Sequence, residues 1–269
     1  MGYKVFQISK LHKNSQRTGT DGYQPKFISS DGKYFIKAQC NLGGYLVDDW
    51  KVEVIASKLC NLFNFRCIEQ LPCYLVDKDL KLHGVYSRNL LLHTFKSFES
   101  LLEANRLSTK DPWFVKADAI SKIYSLAEAV QKSMCASYNI QVDKKDIVDY
   151  IVKCAIIDIL VCNNDRHTRN YSIIFDKYGK LIPLTIYDCG MGLFENDIYL
   201  RGLNTYQECL RYSYIAPYGE DPFDLIEYLD REFKIRDYLR KMQKPNISHT
   251  LFPTKKSYEY FKEVCKQIW

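Results

Sequence analysis

The strongest constraint on this chain is a pair of neighbouring segments. Residues 144–163, KKDIVDYIVKCAIIDILVCN, are apolar nearly all round, and a helix of that kind has to be buried on every side. It runs directly into CNNDRHTRN at 162–170, which packs one Asp, one His, three Asn and two Arg into nine positions. A buried helix ending in so many polar groups needs packed layers around its length and a solvent-reached cleft at its end. YSIIFDKYGKLIPLTIYD follows and reads as a hairpin turning at DKYG. The 147–161 run is not a membrane span, because Asp149, Lys153 and Asp158 interrupt it.

Upstream, the pattern is different. QPKFIS and KYFIKAQC read as strands joined by a turn at SDG. DDWKVEVIASKLCNLF has Trp50, Val54, Leu59 and Leu62 near helical spacing, with an Asp capping its start. RCIEQLPCYLVD and KLHGVYSRNLL follow as strands. From about residue 94 the character becomes helical, through SFESLLEANR, KADAISKIYSLAEAVQKSM and, near the end, DPFDLIEYLDREF, IRDYLRKM and SYEYFKEVCKQI. The expected class is α+β and bilobed. Residues 1–93 form a small lobe built on a mixed sheet, 94–269 a larger helical lobe, and the hinge falls near 84–94.

At 269 residues the chain is long enough for two lobes sharing a cleft. Its net charge of +6 is spread rather than blocked, which suits a phosphorylated ligand, an acidic protein partner or nucleic acid alike; of these, direct nucleic-acid binding is the least expected. The ten cysteines form no CxxC pair and several sit in apolar runs, so they read as buried free thiols of a reducing compartment. MGYKVFQISK has no apolar signal region. The expected location is the cytoplasm, with no membrane association.

The polar loop carries chemistry. Asp165 and Asn170 are spaced D-x-x-x-x-N, and Asp188 follows at the end of the apolar strand beyond the hairpin. Phosphoryl transfer from a nucleotide needs one carboxylate near the attacking hydroxyl, and a second carboxylate with an amide oxygen to hold Mg²⁺ on the phosphates. Asp165 suits the first role, Asn170 and Asp188 the second. In the first lobe, backbone N–H groups near Gly19 and Gly22 of TGTDGYQPKF can approach phosphates. Lys37 shares the apolar-side face of its strand with Phe35, and Glu53 falls in the helix that follows. A strand Lys oriented by a helix Glu reaches the α- and β-phosphates. His167 reads as a structural histidine bonded to backbone or to Asp188. Arg166 suits a structural ion pair or a phosphate contact equally. One of Asn163 and Asn164 is expected to cap the helix end.

On G-Y-Q-P-K at 22–26, the FIK ending at Lys37, N-N-D-R-H-T-R-N at 163–170 and Y-D-C-G at 187–190, the chain resembles the HipA-like (HipA/CtkA-type) family of bacterial serine/threonine protein kinases over roughly residues 15–195. The resemblance implies a protein-kinase-like fold, with ATP and Mg²⁺ as cofactors. It implies that Lys37 contacts ATP phosphates, that Asp165 is the catalytic base, that Asn170 and Asp188 ligate Mg²⁺, and that Gln24 and Lys26 belong to the nucleotide loop. With the layout, it places the backbone of Val85, Tyr86 and Ser87 at the adenine edge. The implied function is phosphorylation of Ser or Thr on a protein, and of the enzyme itself, in a toxin–antitoxin system or as an effector delivered into a host cell. The glycine loop begins by residue 19, so the additional N-terminal subdomain of HipA is expected to be missing. A small antitoxin or a separate protein resembling that subdomain is therefore an expected partner. Position 21 is Asp where relatives often carry an autophosphorylated serine, and Thr18 and Thr20 are the nearest hydroxyls. Two other readings stay open: a phosphoinositide or small-molecule kinase, since D-R-H-x-x-N also suits lipid kinases, and a non-catalytic nucleotide-binding module.

Overall fold

In a computed structural model, residues 3–13, 24–42, 44–89, 94–176, 178–182, 184–194 and 202–269 are described. The first part supplies β1 (Lys4–Gln7), β2 (His12–Lys13), β3 (Lys26–Ile28), β4 (Tyr34–Ala38), the short pair β5 (Asn41–Leu42) and β6 (Tyr45–Leu46), helix α1 (Asp49–Leu62), β7 (Leu71–Asp77) and β8 (Leu80–Arg88). Six of these strands form one curled sheet in the order β1-β7-β8-β4-β3-β2. The turn between β3 and β4 is the anticipated SDG: Gly32 takes φ +70°, and the Asp31 carboxylate accepts from the Ser29 hydroxyl at 2.6 Å.

Alternation along these strands decides where the site lies. One face of the sheet gathers Phe6, Ile36, Ala38, Cys73 and Leu75 into a core of its own. The opposite face packs Val85 on Trp50 and Val54 of α1. Lys37 is the cross-strand partner of Val85, so its side chain stands on the α1 side. Gly84, beside that pair, permits the close approach of β8 to β4. A Cβ there would lie 2.5 Å from the Lys37 carbonyl oxygen and 2.7 Å from Leu75 Cδ1. Gly84→Ala is expected to cost about 1–3 kcal/mol, the usual penalty of overpacking a tight core. A fall in the urea midpoint with an unchanged slope would register it.

The second part begins with β9 (Thr94–Ser97) and continues through α2 (Phe98–Ala104), α3 (Pro112–Val115), α4 (Ala119–Tyr138), α5 (Lys144–Leu160), β10 (Ser172–Phe175), β11 (Leu181–Ile182), α6 (Tyr206–Tyr212), α7 (Pro222–Phe233), α8 (Ile235–Arg240) and α9 (Lys255–Ile268). Helix α5 is the axis, with twelve of its 17 residues buried, as its apolar circumference requires. Its start is fixed by Asp143, whose carboxylate accepts from the Lys145 N–H. α1 is shared between the parts: Val52, Ile55, Ala56 and Leu59 belong to the same apolar core as α5 and α9. Among the described residues none of the ten cysteines is in a disulfide, and eight are buried. Among the described residues no helix is long and apolar enough to cross a membrane.

Three local expectations change. Residues 94–97 open no helix; they form β9, which pairs antiparallel with β10 (Ser97 opposite Ser172) in a second sheet of order β11-β10-β9. β1 is an additional strand, parallel to β7. The start of α1 has no side-chain cap: Asp48 is the N-cap residue but accepts no capping bond, its carboxylate being engaged by Lys51, Gln39 and Trp50 instead.

Candidate active site

The site lies where β4, α1 and the two segments following α5 and β11 converge. α5 ends at Leu160, and Cys162 takes a left-handed conformation (φ +45°) that stops the helix. Asn163 seals that end. Its N–H donates to the Asp158 carbonyl at 2.8 Å, its side-chain amide donates to the Asp158 carboxylate at 2.8 Å, and its own amide oxygen accepts from the Asp165 N–H. The residue expected as a helix-end cap thus also positions the backbone of Asp165.

Arg166 is fully buried and holds the loop from inside. Its guanidinium forms a two-pronged pair with Asp158, Nε and Nη2 each donating at 2.8 Å. Nη1 donates to the carbonyls of Asn170 (3.1 Å) and Tyr187 (2.7 Å). One side chain therefore ties the end of α5, the Asp165–Asn170 loop and the residue preceding Asp188. Of the two roles open to Arg166, the ion pair is the one observed. Sequence reasoning missed its partner; the signal was a charged residue, Asp158, in an otherwise apolar stretch eight positions upstream.

Lys37 is the electrostatic centre. Its Nζ lies 2.5 Å from Glu53 Oε1 and 2.6 Å from Asp188 Oδ1. Glu53 Oε2 also accepts from the Cys189 N–H at 3.3 Å, which docks the Asp188 segment on α1. Gly190 permits this contact, since a Cβ there would sit 3.2 Å from the Glu53 carboxylate. Burial alone favours a neutral Lys37, but the Asp188 and Glu53 charges outweigh it and hold the ammonium protonated. Burial raises the Asp188 carboxyl in turn, and Lys37 more than compensates, leaving it at about 2. Asp188 adopts φ +57°, a left-handed conformation that Asp tolerates better than most side chains. Its carboxylate keeps about a quarter of its surface open, 27%.

Asp165 stands exposed at the cleft surface. Loss of surrounding water pushes its carboxyl above the ordinary value; His167 opposes this and the Asp188 charge adds to it, so the two carboxylates sense each other. Asn170 is buried beside them and donates its amide N–H to the Asp165 carbonyl at 3.3 Å. His167 departs from expectation: its ring Nδ1 is buried without a hydrogen-bond partner among the described residues.

Lys26 pairs across the ladder with Lys37, and its charge also lowers the Asp188 carboxyl. Gln24 turns inward, donating from Nε2 to Asp49 Oδ2 at 2.7 Å. Gly19 and Gly22 lie outside the described residues, as do Thr18 and Thr20. The adenine-reading expectation for Val85 and Tyr86 is corrected. Both residues sit inside β8 and are laddered to β4 on one side and to β7 on the other, which leaves no backbone edge free for a base. Ser87 lies one residue past the end of β7 and pairs only with Phe35.

Asp49 was read from sequence only as part of a helix start. It is buried, next to Glu53, and burial lifts its carboxyl to about 7 against the pull of Gln24. Because the folded value is raised, the native state binds an extra proton between about pH 4 and pH 7. Stability contributed by this group is therefore complete at low pH and is lost as pH rises through that window. Asp49→Asn should flatten the slope. Comparing urea midpoints at pH 5 and pH 8, the wild type is expected to lose more than the variant; parallel losses would give Asp49 an ordinary pKa.

A curled mixed sheet and a helical part, joined by a shared helix and closing on this cleft, define a bilobed kinase-like architecture. No family model matches the chain, and no curated protein matches it in sequence. Among solved structures it has the fold of the Helicobacter pylori proinflammatory kinase CtkA, with a TM-score of 0.55 at 14% identity, covering 99% of this chain and 95% of that one. It also aligns with HipA from the Shewanella oneidensis MR-1 toxin–antitoxin complex with HipB and operator DNA, at a TM-score of 0.40 and 14% identity, spanning 96% of this chain and 66% of that one.

Proposed function

We propose that the chain is a HipA-like, ATP- and Mg²⁺-dependent protein kinase that phosphorylates Ser or Thr. The observation that carries this reading is the buried Lys37 bridging Glu53 at 2.5 Å and Asp188 at 2.6 Å, beside the loop that presents Asp165 and Asn170. Such a pair holds an ammonium rigidly at the position where α- and β-phosphates need it. The CtkA-type fold agrees with it.

The residues fit a divalent cation. Asp188 offers a carboxylate held ionised and partly open to the cleft. Asn170 turns its amide nitrogen inward to Asp165, and its oxygen is the remaining donor. Both are hard oxygen ligands of the kind Mg²⁺ takes together with phosphates. When bound there, Mg²⁺ supplies neutralisation of phosphate charge.

The remaining chemistry belongs to the chain. Lys37 and Lys26 hold the triphosphate, and Gln24 fixes the loop end to α1 through Asp49. The substrate hydroxyl oxygen forms a bond to the γ-phosphorus as the bond from that phosphorus to the β–γ bridging oxygen breaks, and ADP departs with the electron pair. Asp165 accepts the hydroxyl proton, a role its raised carboxyl pKa suits. Arg166 touches none of the reacting atoms and keeps the loop and the Asp188 segment in register. In this reading 1–93 and 94–269 are the two lobes, self-phosphorylation and a small antitoxin-like partner follow from the family resemblance, and the site of action is the cytoplasm.

The test is transfer of labelled phosphate from ATP with Mg²⁺, offered in parallel to a mixture of proteins and to vesicles containing phosphoinositide. Label on protein Ser or Thr is expected, lost on chelation of the metal. Label entering lipid alone would replace the protein-kinase reading with the lipid-kinase one.

A further inference from the structure

Between α1, the sheet side and the segment 243–251 lies a cavity of about 590 Å³. Three parts of the chain build it. α1 contributes Trp50, Lys58 and Leu62, which fall on one stripe of the helix. β8 contributes His83, Tyr3 lies just before β1, and the segment 243–251 between α8 and α9 forms the far wall. Its apolar surface comes from Trp50, Leu62, Ile247 and Leu251, while Asn246, Ser248 and Thr250 add polar groups. Three lysines reach it, and no Asp or Glu lines it among the described residues. Lys51 is neutralised by Asp48 at 2.6 Å. Lys58 and Lys244 are exposed and have no ion-pair partner among the described residues.

We propose that this cavity docks an acidic peptide segment of a partner protein, with one apolar side chain entering between α1 and residues 243–251 and its carboxylates meeting Lys58 and Lys244. The charge is complementary only to an anion, and the apolar surface suits a Leu- or Phe-sized anchor. Single-stranded nucleic acid fits less well, because it needs open aromatic faces to stack on. Trp50 is only 4% exposed. One of its faces is stacked on His83 at 4.9 Å, and Tyr3 meets it edge-on at 6.2 Å. Occupancy has a direct structural consequence. Leu251 packs against Trp50, Val54 and Val85, so a peptide bridging the two walls restrains the helix that carries Glu53. The docking surface itself does not depend on the proposed reaction.

The test is selection of a random-peptide display library on the full-length chain, followed by fluorescence anisotropy of the enriched peptides. Enriched sequences are expected to combine Asp or Glu with a large apolar residue. Their affinity is expected to fall at least about tenfold in the Lys58→Glu/Lys244→Glu double variant. Both lysines are exposed, so this variant keeps its fold, checked by an unchanged thermal midpoint. Ile247→Asp, which places an anion among the apolar walls, is expected to abolish binding of the same peptides. Peptides without acidic bias, or binding equally tight to both variants, would overturn the proposal. So would a single-stranded oligonucleotide that binds in a Lys58- and Lys244-dependent way where the peptides do not, or dimerisation of the chain that the double variant abolishes.

Discussion

Asp165→Asn is expected to leave ATP bound and to reduce phosphate transfer about 10³-fold, within the range a positioned general base contributes. The exchange is nearly isosteric, and Asp165 is exposed at the cleft surface, so the fold has no reason to change. The contacts that would hold the nucleotide are made elsewhere: Lys37 with Glu53 and Asp188, and Gln24 with Asp49. What the amide lacks is the capacity to take the hydroxyl proton. Single-turnover transfer from labelled ATP separates binding from chemistry. Transfer within a few-fold of wild type would remove Asp165 from its role; loss of ATP binding together with transfer would make the residue structural.

Arg166→Met is expected to act on the fold itself. The substitution strands the fully buried Asp158 carboxylate, which accepts two bonds from the guanidinium at 2.8 Å. Breaking one half of a buried pair typically costs about 3–5 kcal/mol, a large share of the stability of an ordinary domain. Replacing both partners, Asp158→Leu with Arg166→Met, should recover part of the loss, because no uncompensated charge remains. The double variant should nonetheless transfer phosphate poorly, since the carbonyls of Asn170 and Tyr187 lose the same donor. Chemical denaturation of wild type and the two variants checks the order. A single variant within about 1 kcal/mol of wild type would mean that water or a rearranged loop satisfies Asp158.

How much of this was legible from the residues depends on whether the signal was local. α1 was expected over 48–63 and is observed at Asp49–Leu62; α5 was placed from its apolar circumference, and the β3–β4 hairpin from its SDG turn. Each of these is set by residues next to one another. β1 was missed because its partner is parallel β7, with Lys4 opposite Cys73; such a pairing leaves no turn signature. β9 was missed because its antiparallel partner β10 lies far downstream, so no tight turn joins the two. α6 carries a signal that was available: Thr205 and Glu208 form a capping box. Lys37, Glu53 and Asp188, remote along the chain, meet at one ammonium. Asp158 stood out as a charge in an apolar run, but its partner Arg166, like the half-buried Gln24 that bonds Asp49, is identified only by the tertiary packing.

The central claim is that Asp188 holds a divalent cation against nucleotide phosphates while Lys37 holds the phosphates themselves. Calorimetric titration of ATP into wild type and Asp188→Ala, each with Mg²⁺ and with a chelator, tests it most directly. Wild type is expected to bind at least about tenfold more tightly with Mg²⁺, a coupling of about 1.4 kcal/mol, and the variant to show no such difference. Equal affinity of wild type in the two conditions, or a variant that keeps the full Mg²⁺ dependence, would contradict the account.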